Sequence, residues 1–150
     1  MCGNLISWVF QSNREMVPIV TIDGPSGSGK GTISKALALK LNWNYLDSGL
    51  LYRCFAFLHN ENIENISESF PRIEHKYDSE SESILFDGND ITSAIRGKEL
   101  TILSSKLSHK SEVREQLVQI QKQYRKLPGL VAEGRDMSSK LFPDSKVKIY

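Results

Sequence analysis

The sequence predicts an α/β fold with a parallel sheet core and a small, mostly antiparallel excursion in its middle. Three observations carry that reading. The segment Val17 to Ile22 is almost continuously apolar, as a parallel strand covered on both faces must be. A glycine-rich run follows it at once and opens into a helical pattern. A second apolar strand pattern, Leu130-Val131-Ala132, returns late in the chain and ends on Glu133-Gly134-Arg135-Asp136.

The glycine-rich run is Gly24-Pro25-Ser26-Gly27-Ser28-Gly29-Lys30-Gly31-Thr32. Between a buried strand and a helix start, such a loop is a phosphate cradle. Backbone N–H groups converge on an anion only where side chains are absent, and the helix N-terminus adds unpaired donors and partial positive charge. Lys30 supplies the mobile cation that follows the β- and γ-phosphates. Gly31 stands where the general P-loop pattern has Ser or Thr, so the hydroxyl arrives one position later, at Thr32.

The remaining elements follow in order. Pro18 fits only near the start of the first strand. Ile33, Ala36, Leu37 and Leu41 lie at helical spacing and predict one apolar stripe packed on the sheet. Asn44 to Asp47 reads as a second strand, and Ser48 as the N-cap of a helix with apolar positions Leu51, Cys54, Phe55 and Leu58. From Asn60 to Glu82 the composition turns to Asn, Glu and Ser, with Arg72 to Tyr77 as an exposed strand. Ser83 to Phe86 is a strand, Asp87 to Asp90 a turn, and Ile91 the start of a further extended piece. Leu100, Leu103 and Leu107 mark one helix; Val113, Leu117, Ile120 and Tyr124 mark the next, closed by Pro128-Gly129. Lys146 to Tyr150 reads as a fourth core strand. The expected segments are an N-terminal extension (1–15), the first part of the core (16–59), an insert (60–96) and the continued core (97–150).

Composition narrows the function classes. The 150 residues suffice for one domain, and 39% hydrophobic with 25% charged residues describe a soluble globular chain. A net charge of +1 gives no global attraction to nucleic acid or membrane, so any anion site is local. Two cysteines, Cys2 and Cys54, make no disulfide framework and predict a reducing, cytoplasmic compartment. The apolar stretch Leu5 to Phe10 is too short to span a membrane and has no basic flank of a signal peptide. A monomer is expected.

Arg53, Arg96, Arg114 and Arg135 form a second constellation. A guanidinium matches phosphate oxygens in a fork and stays charged at working pH. Arg53 lies a helical turn beyond Ser48, near the end of the second strand. Arg135 and Asp136 lie at the carboxyl end of the third, where doubly wound sheets bind ligands. Any one of these arginines also has a plain reading as a solvated surface residue. Glu133 and Asp136 have the chemistry to orient Mg2+ or its waters; pairing of Asp136 with Arg135 is the alternative. No residues are assigned as direct metal ligands.

The run from Thr21 through GPSGSGKGT, then LDSG (Leu46 to Gly49) with Tyr52-Arg53, PGLVAEGRDM (Pro128 to Met137) and FPD (Phe142 to Asp144), closely resembles bacterial cytidylate kinases. The resemblance covers Val17 to Tyr150 with matched spacing. It implies a nucleoside monophosphate kinase fold and transfer from ATP, with Mg2+, to CMP or dCMP. Gly24 to Thr32 then resembles the ATP loop. Ser48, Arg53, Ser105, Arg114, Arg135 and Asp136 occupy the positions that hold the pyrimidine nucleotide, with Ser105 and Arg114 on the base. Lys30, Arg135 and Asp136 are the expected catalytic set, and 60–96 is the expected CMP-binding insert. Ser138-Ser139 stands where the family usually has Gly-Thr. The family also continues past the position of Tyr150 into a lid with arginines that close over ATP. On that resemblance the 150-residue chain is expected to be a truncated form that binds weakly and does not transfer. Another small-metabolite P-loop kinase and an inactive nucleotide-binding remnant are the alternatives.

Overall fold

The computed structural model describes residues 17–150. The N-terminal segment 1–15, and Cys2 within it, lie outside the described residues. The chain divides into two compact units, one made of the segments up to Leu46 and from Lys122 to Tyr150, the other of Asp47 to Gln121. The boundaries expected at 59/60 and 96/97 both fall inside the second unit.

The first unit is a four-stranded sheet in the order β2-β6-β1-β7, with β1 Ile19–Asp23, β2 Asn44–Asp47, β6 Leu130–Gly134 and β7 Val147–Ile149. β1 runs parallel to β6 on one side, Ile19 opposite Leu130 through to Asp23 opposite Gly134, and parallel to β7 on the other. Every residue of β1 and β6 is buried, which explains their unbroken apolar runs. β7 lies at the sheet edge and is exposed along its length.

Helix α1, Lys30–Leu41, packs on this sheet by a different face from the one its apolar spacing predicts. Ile33 is 59% exposed and Leu41 40%, while Ser34 and Ala38 are buried. The physical reason is distance. Small side chains at i and i+4 let a helix backbone approach the sheet closely, and bulky residues at those positions would hold it off. The helix ends in a Schellman pattern. Asn42, at φ 53°, takes the left-handed position, and the N–H groups of Trp43 and Asn42 reach back to the carbonyls of Ala38 and Leu39. Gly129 sits against the face of Trp43, where a Cβ would overlap the indole.

The second unit begins with α2, Ser48–Asn60. Its N-cap is Asp47 rather than the predicted Ser48. The Asp47 carboxylate accepts from Leu50 N–H at 2.9 Å, and Ser48 already belongs to the first turn. Leu50, Leu51, Cys54, Phe55, Ala56 and Leu58 are buried, and burial pushes the Cys54 thiol up to about 12, so it is an inert core residue. After a short helix α3, Ile66–Ser69, strands β3 Ile73–Tyr77, β4 Glu82–Phe86 and β5 Asn89–Asp90 form an antiparallel sheet. The turn between β4 and β5 is only Asp87-Gly88, both at positive φ, so Asn89 and Asp90 are strand rather than turn. Arg72 grips Asp87 with two donors and lies 4.6 Å over the Phe86 ring. Ile91 does not extend the sheet; it precedes α4, Thr92–Arg96. The Asp90 carboxylate accepts from Thr92 N–H at 2.8 Å and turns the chain into that helix. Helices α5, Lys98–Leu107, and α6, Ser111–Lys122, complete the unit. α6 stops before Tyr124, so that residue lies past the helix end.

In the first unit, Arg125 joins two distant segments. Its Nη2 is 2.8 Å from Asp144 Oδ2 and 3.2 Å from the Val17 carbonyl. The hydrogen bond from Arg125 holds the Asp144 carboxyl below the usual range. A carboxyl depressed in this way contributes stability above its unfolded pKa, about 4, and that contribution is lost as pH falls through the folded value. The stability gap between the natural protein and Arg125→Met in urea titrations should therefore narrow between about pH 7 and about pH 2.5. A gap that stays constant over that range would show that the ion pair contributes nothing.

Candidate active site

Strand β1 ends at Asp23, and the chain turns at Gly24, whose N–H donates to the Gly134 carbonyl at 3.1 Å. That bond sets the start of the glycine-rich loop against the end of β6. Gly27 and Gly29 take φ of 77° and 84°, a region closed to most side chains, so the loop's shape depends on glycine at both. Gly29 is also the N-cap of α1 and offers no side-chain acceptor, which leaves the first-turn N–H groups for an external anion. Pro25, Ser26, Gly27, Ser28 and Gly29 are exposed and Lys30 is half-buried. Lys30 Nζ rests on the Pro25 carbonyl at 3.0 Å, a bond that a stronger anionic acceptor would displace.

Gly31 has its own explanation in the structure. A Cβ there would lie 3.1 Å from Glu133 Oε1, so the volume that the general motif gives to a Ser or Thr side chain is held by a carboxylate. Glu133 is only 4% exposed and accepts a hydrogen bond from the Tyr45 hydroxyl. Burial of a carboxylate is costly unless donors compensate, and the Tyr45 hydroxyl is one.

Arg135 and Asp136 follow β6 directly. Arg135 is exposed and makes no ion pair among the described residues, while Asp136 pairs with Lys140 at 3.2 Å, one helical turn on. The alternative pairing of Asp136 with Arg135 is therefore not the one formed. Met137–Leu141 then form a single π-helical turn, closed by Phe142 N–H on the Met137 carbonyl at 2.7 Å. The start of this turn is held by Asp23, whose carboxylate accepts from Met137 N–H at 2.7 Å, Ser138 N–H at 2.9 Å and Ser138 Oγ at 2.6 Å. Neither Asp23 nor Tyr45 is among the expected site residues. A buried carboxylate at a strand end carries no spacing signal, because its partners lie more than a hundred positions away.

The first unit thus brings together Gly24 to Thr32, Glu133, Arg135 and Asp136. Ser48, Arg53, Ser105 and Arg114 belong to the second unit. There Ser48 is buried at the start of α2 and Arg53 half-buried one turn later. Ser105 is exposed on α5, and its carbonyl accepts from Ser108 Oγ at 2.7 Å. Arg114 is exposed on α6 and lines a shallow cavity of about 240 Å³ with Ser111, Glu115, Val118 and Gln119. No hydrogen bond joins Ser105 to Arg114 among the described residues. Arg96 is engaged elsewhere, in an ion pair with Glu82, which also bonds His75 at 2.8 Å. Its role is to tie α4 to the hairpin.

A phosphate-type loop between a central parallel strand and a helix, beside a carboxylate and an arginine on the adjacent strand end, defines the P-loop class of α/β folds. Within that class the chain belongs to the cytidylate kinase family, whose model matches residues 20–150. It is 44% identical over 144 residues to a cytidylate kinase of Stutzerimonas stutzeri, covering 89% of this chain and 63% of that protein. It is 42% identical over 151 residues to one of Coxiella burnetii, covering 94% and 64%, and 40% identical over 144 residues to one of Aeromonas salmonicida, covering 91% and 63%. The chain thus spans less than two thirds of the length of these relatives.

If the Glu133 carboxylate is what excludes a side chain at residue 31, then Gly31→Ala should cost about 1–3 kcal/mol in urea unfolding. The cost should largely vanish in a Glu133→Ala background, a coupling that a double-mutant cycle measures. Equal costs in both backgrounds would mean that Glu133 is not the obstruction.

Proposed function

We propose that the full-length protein carries out ATP-dependent phosphoryl transfer to the 5′-phosphate of CMP or dCMP, giving ADP and CDP or dCDP. The observation that carries the reading is the adjacency of the Gly24–Thr32 loop to the Arg135–Asp136 turn on neighbouring strand ends, in a chain of the cytidylate kinase family. The loop amides and the α1 N-terminus hold the donor phosphates. Lys30 leaves the Pro25 carbonyl for the transferring phosphoryl, where developing charge makes it a better partner. Arg53 and Arg135 hold the acceptor phosphate. Ser48 and Asp136 contact the nucleotide, and Ser105 and Arg114 read the base. The acceptor is already an anion, so the protein's task is positioning and charge neutralisation rather than base catalysis.

Mg2+ fits the chemistry of the donors at this end of the sheet, which are hard oxygens: the Thr32 hydroxyl and the carboxylates of Glu133 and Asp136. Bound with ATP, it would neutralise charge on the donor phosphates. The reading includes a monomeric, cytoplasmic protein, and the buried thiol of Cys54 fits a reducing compartment.

The reading is tested on the full-length protein with ATP and Mg2+ against CMP, dCMP, UMP, AMP and GMP side by side. Preferred formation of CDP or dCDP is expected. Preference for another acceptor would move the chain to a different small-metabolite kinase reaction, and no transfer to any of them would make it a binding remnant. Lys30→Met should lower kcat by about 10²–10³-fold with the fold intact by circular dichroism. Arg114→Met should weaken CMP binding far more than ATP binding by calorimetry, because it leaves the base edge without its polar partner. Equal losses for the two nucleotides would remove Arg114 from base reading.

A further inference from the structure

We infer that Asp23 is a positioning residue for the acceptor side of the site, acting through Met137 and Ser138. The inference rests on the transfer reaction proposed above for its kinetic consequence and on geometry alone for its structural one. Asp23 is 4% exposed at the last position of β1, next to the phosphate loop. No lysine or arginine pairs with it among the described residues. Its charge is met by the donors of Met137 and Ser138, two backbone N–H groups and one hydroxyl. Charge-assisted bonds of this kind are stronger than neutral ones, and burial sharpens the cost of losing any of them.

Those bonds bracket the residues expected to meet the acceptor. Before Arg135, the Gly134 carbonyl is fixed by Gly24 N–H; after Asp136, the next two amides are fixed by Asp23. Both anchors come from adjoining residues at the β1–loop junction. Arg135 and Asp136 have little anchoring of their own: among the described residues the Arg135 side chain makes no ion pair, and the Asp136 carboxylate makes the one with Lys140, partly exposed. Their placement is therefore set through the backbone, and Asp23 holds one end of it. The Ser138 hydroxyl adds the shortest of the Asp23 contacts, at 2.6 Å. The clamp thus has a side-chain component as well as the two backbone donors.

The test uses the full-length protein with Asp23→Asn, Ser138→Ala and Ser138→Thr. Asn puts an amide donor against groups that donate, so Asp23→Asn should raise KM for CMP about tenfold while KM for ATP moves less than about threefold. Ser138→Ala should show the same split at smaller size, and Ser138→Thr, which keeps the hydroxyl, should restore it. In hydrogen exchange the Met137 and Ser138 amides should exchange about tenfold faster in Asp23→Asn, while the Ile22 and Val131 amides in the β1–β6 ladder keep their natural rates. KM values for both nucleotides rising together, or unchanged exchange at Met137 and Ser138, would overturn the inference. Should Asp23→Asn fail to fold, the Ser138 pair decides it on the same readouts. If the natural protein does not phosphorylate CMP, the proposed function fails, and the exchange experiment still decides the role of Asp23.

Discussion

The parallel pairing of β1 with β6 is the constraint on which the candidate site depends. Its register sets Asp23 opposite Gly134, so the two chains leave the sheet side by side at the same end. One exit becomes the phosphate loop and the other the Arg135–Asp136 turn. Both strands are buried along their whole length, which makes the register costly to slip: a one-residue shift would exchange the side chains packed on the two covered faces and break the ladder bonds. The bond from Gly24 N–H to the Gly134 carbonyl and the Asp23 carboxylate then carry the register beyond the ladder into the functional turns. Chemistry at the strand ends is thus fixed by packing several residues away.

Much of this was legible in the sequence. The unbroken apolar runs at Val17–Ile22 and Leu130–Ala132 require strands covered on both faces, and Gly24 to Thr32 between strand and helix announces an anion site. The hairpin was legible too, since Asp87-Gly88 suits a turn with positive φ at both positions. The stripe on α1 was misread because periodicity counts apolar residues, whereas close packing on a sheet selects small ones. Ser34 and Ala38 are the contact, and Ile33 and Leu41 face outward. Capping by Asp47 instead of Ser48 is a tie that local sequence leaves open, since either side chain suits the role and only backbone geometry chooses.

The site residues divide by the kind of signal they leave. Lys30 belongs to a motif whose mechanism is readable from backbone physics. Ser105 and Arg114 are exposed residues on helices with nothing in their spacing to mark them; family resemblance alone singles them out. Asp23 and Tyr45 leave no local signal at all, because each acts on a residue about ninety or more positions away. Glu133 was singled out by its place at a strand end, but its fit against Gly31 is a fact of the third dimension. Arg96 shows the opposite case: a charge with phosphate-binding chemistry is spent on holding a helix to a hairpin.

The proposed transfer requires that donor and acceptor phosphates are met by separate groups, the loop amides for the donor and the Arg135–Asp136 turn for the acceptor. The most direct measurement is a backbone-amide titration of the ¹⁵N-labelled full-length protein with a non-hydrolysable ATP analogue and, separately, with CMP. The ATP analogue should move the signals of Gly27, Gly29, Lys30 and Gly31 first, and CMP those of Arg53, Arg114, Arg135 and Asp136 while leaving the loop nearly unchanged. A single common set of residues responding to both ligands would contradict it.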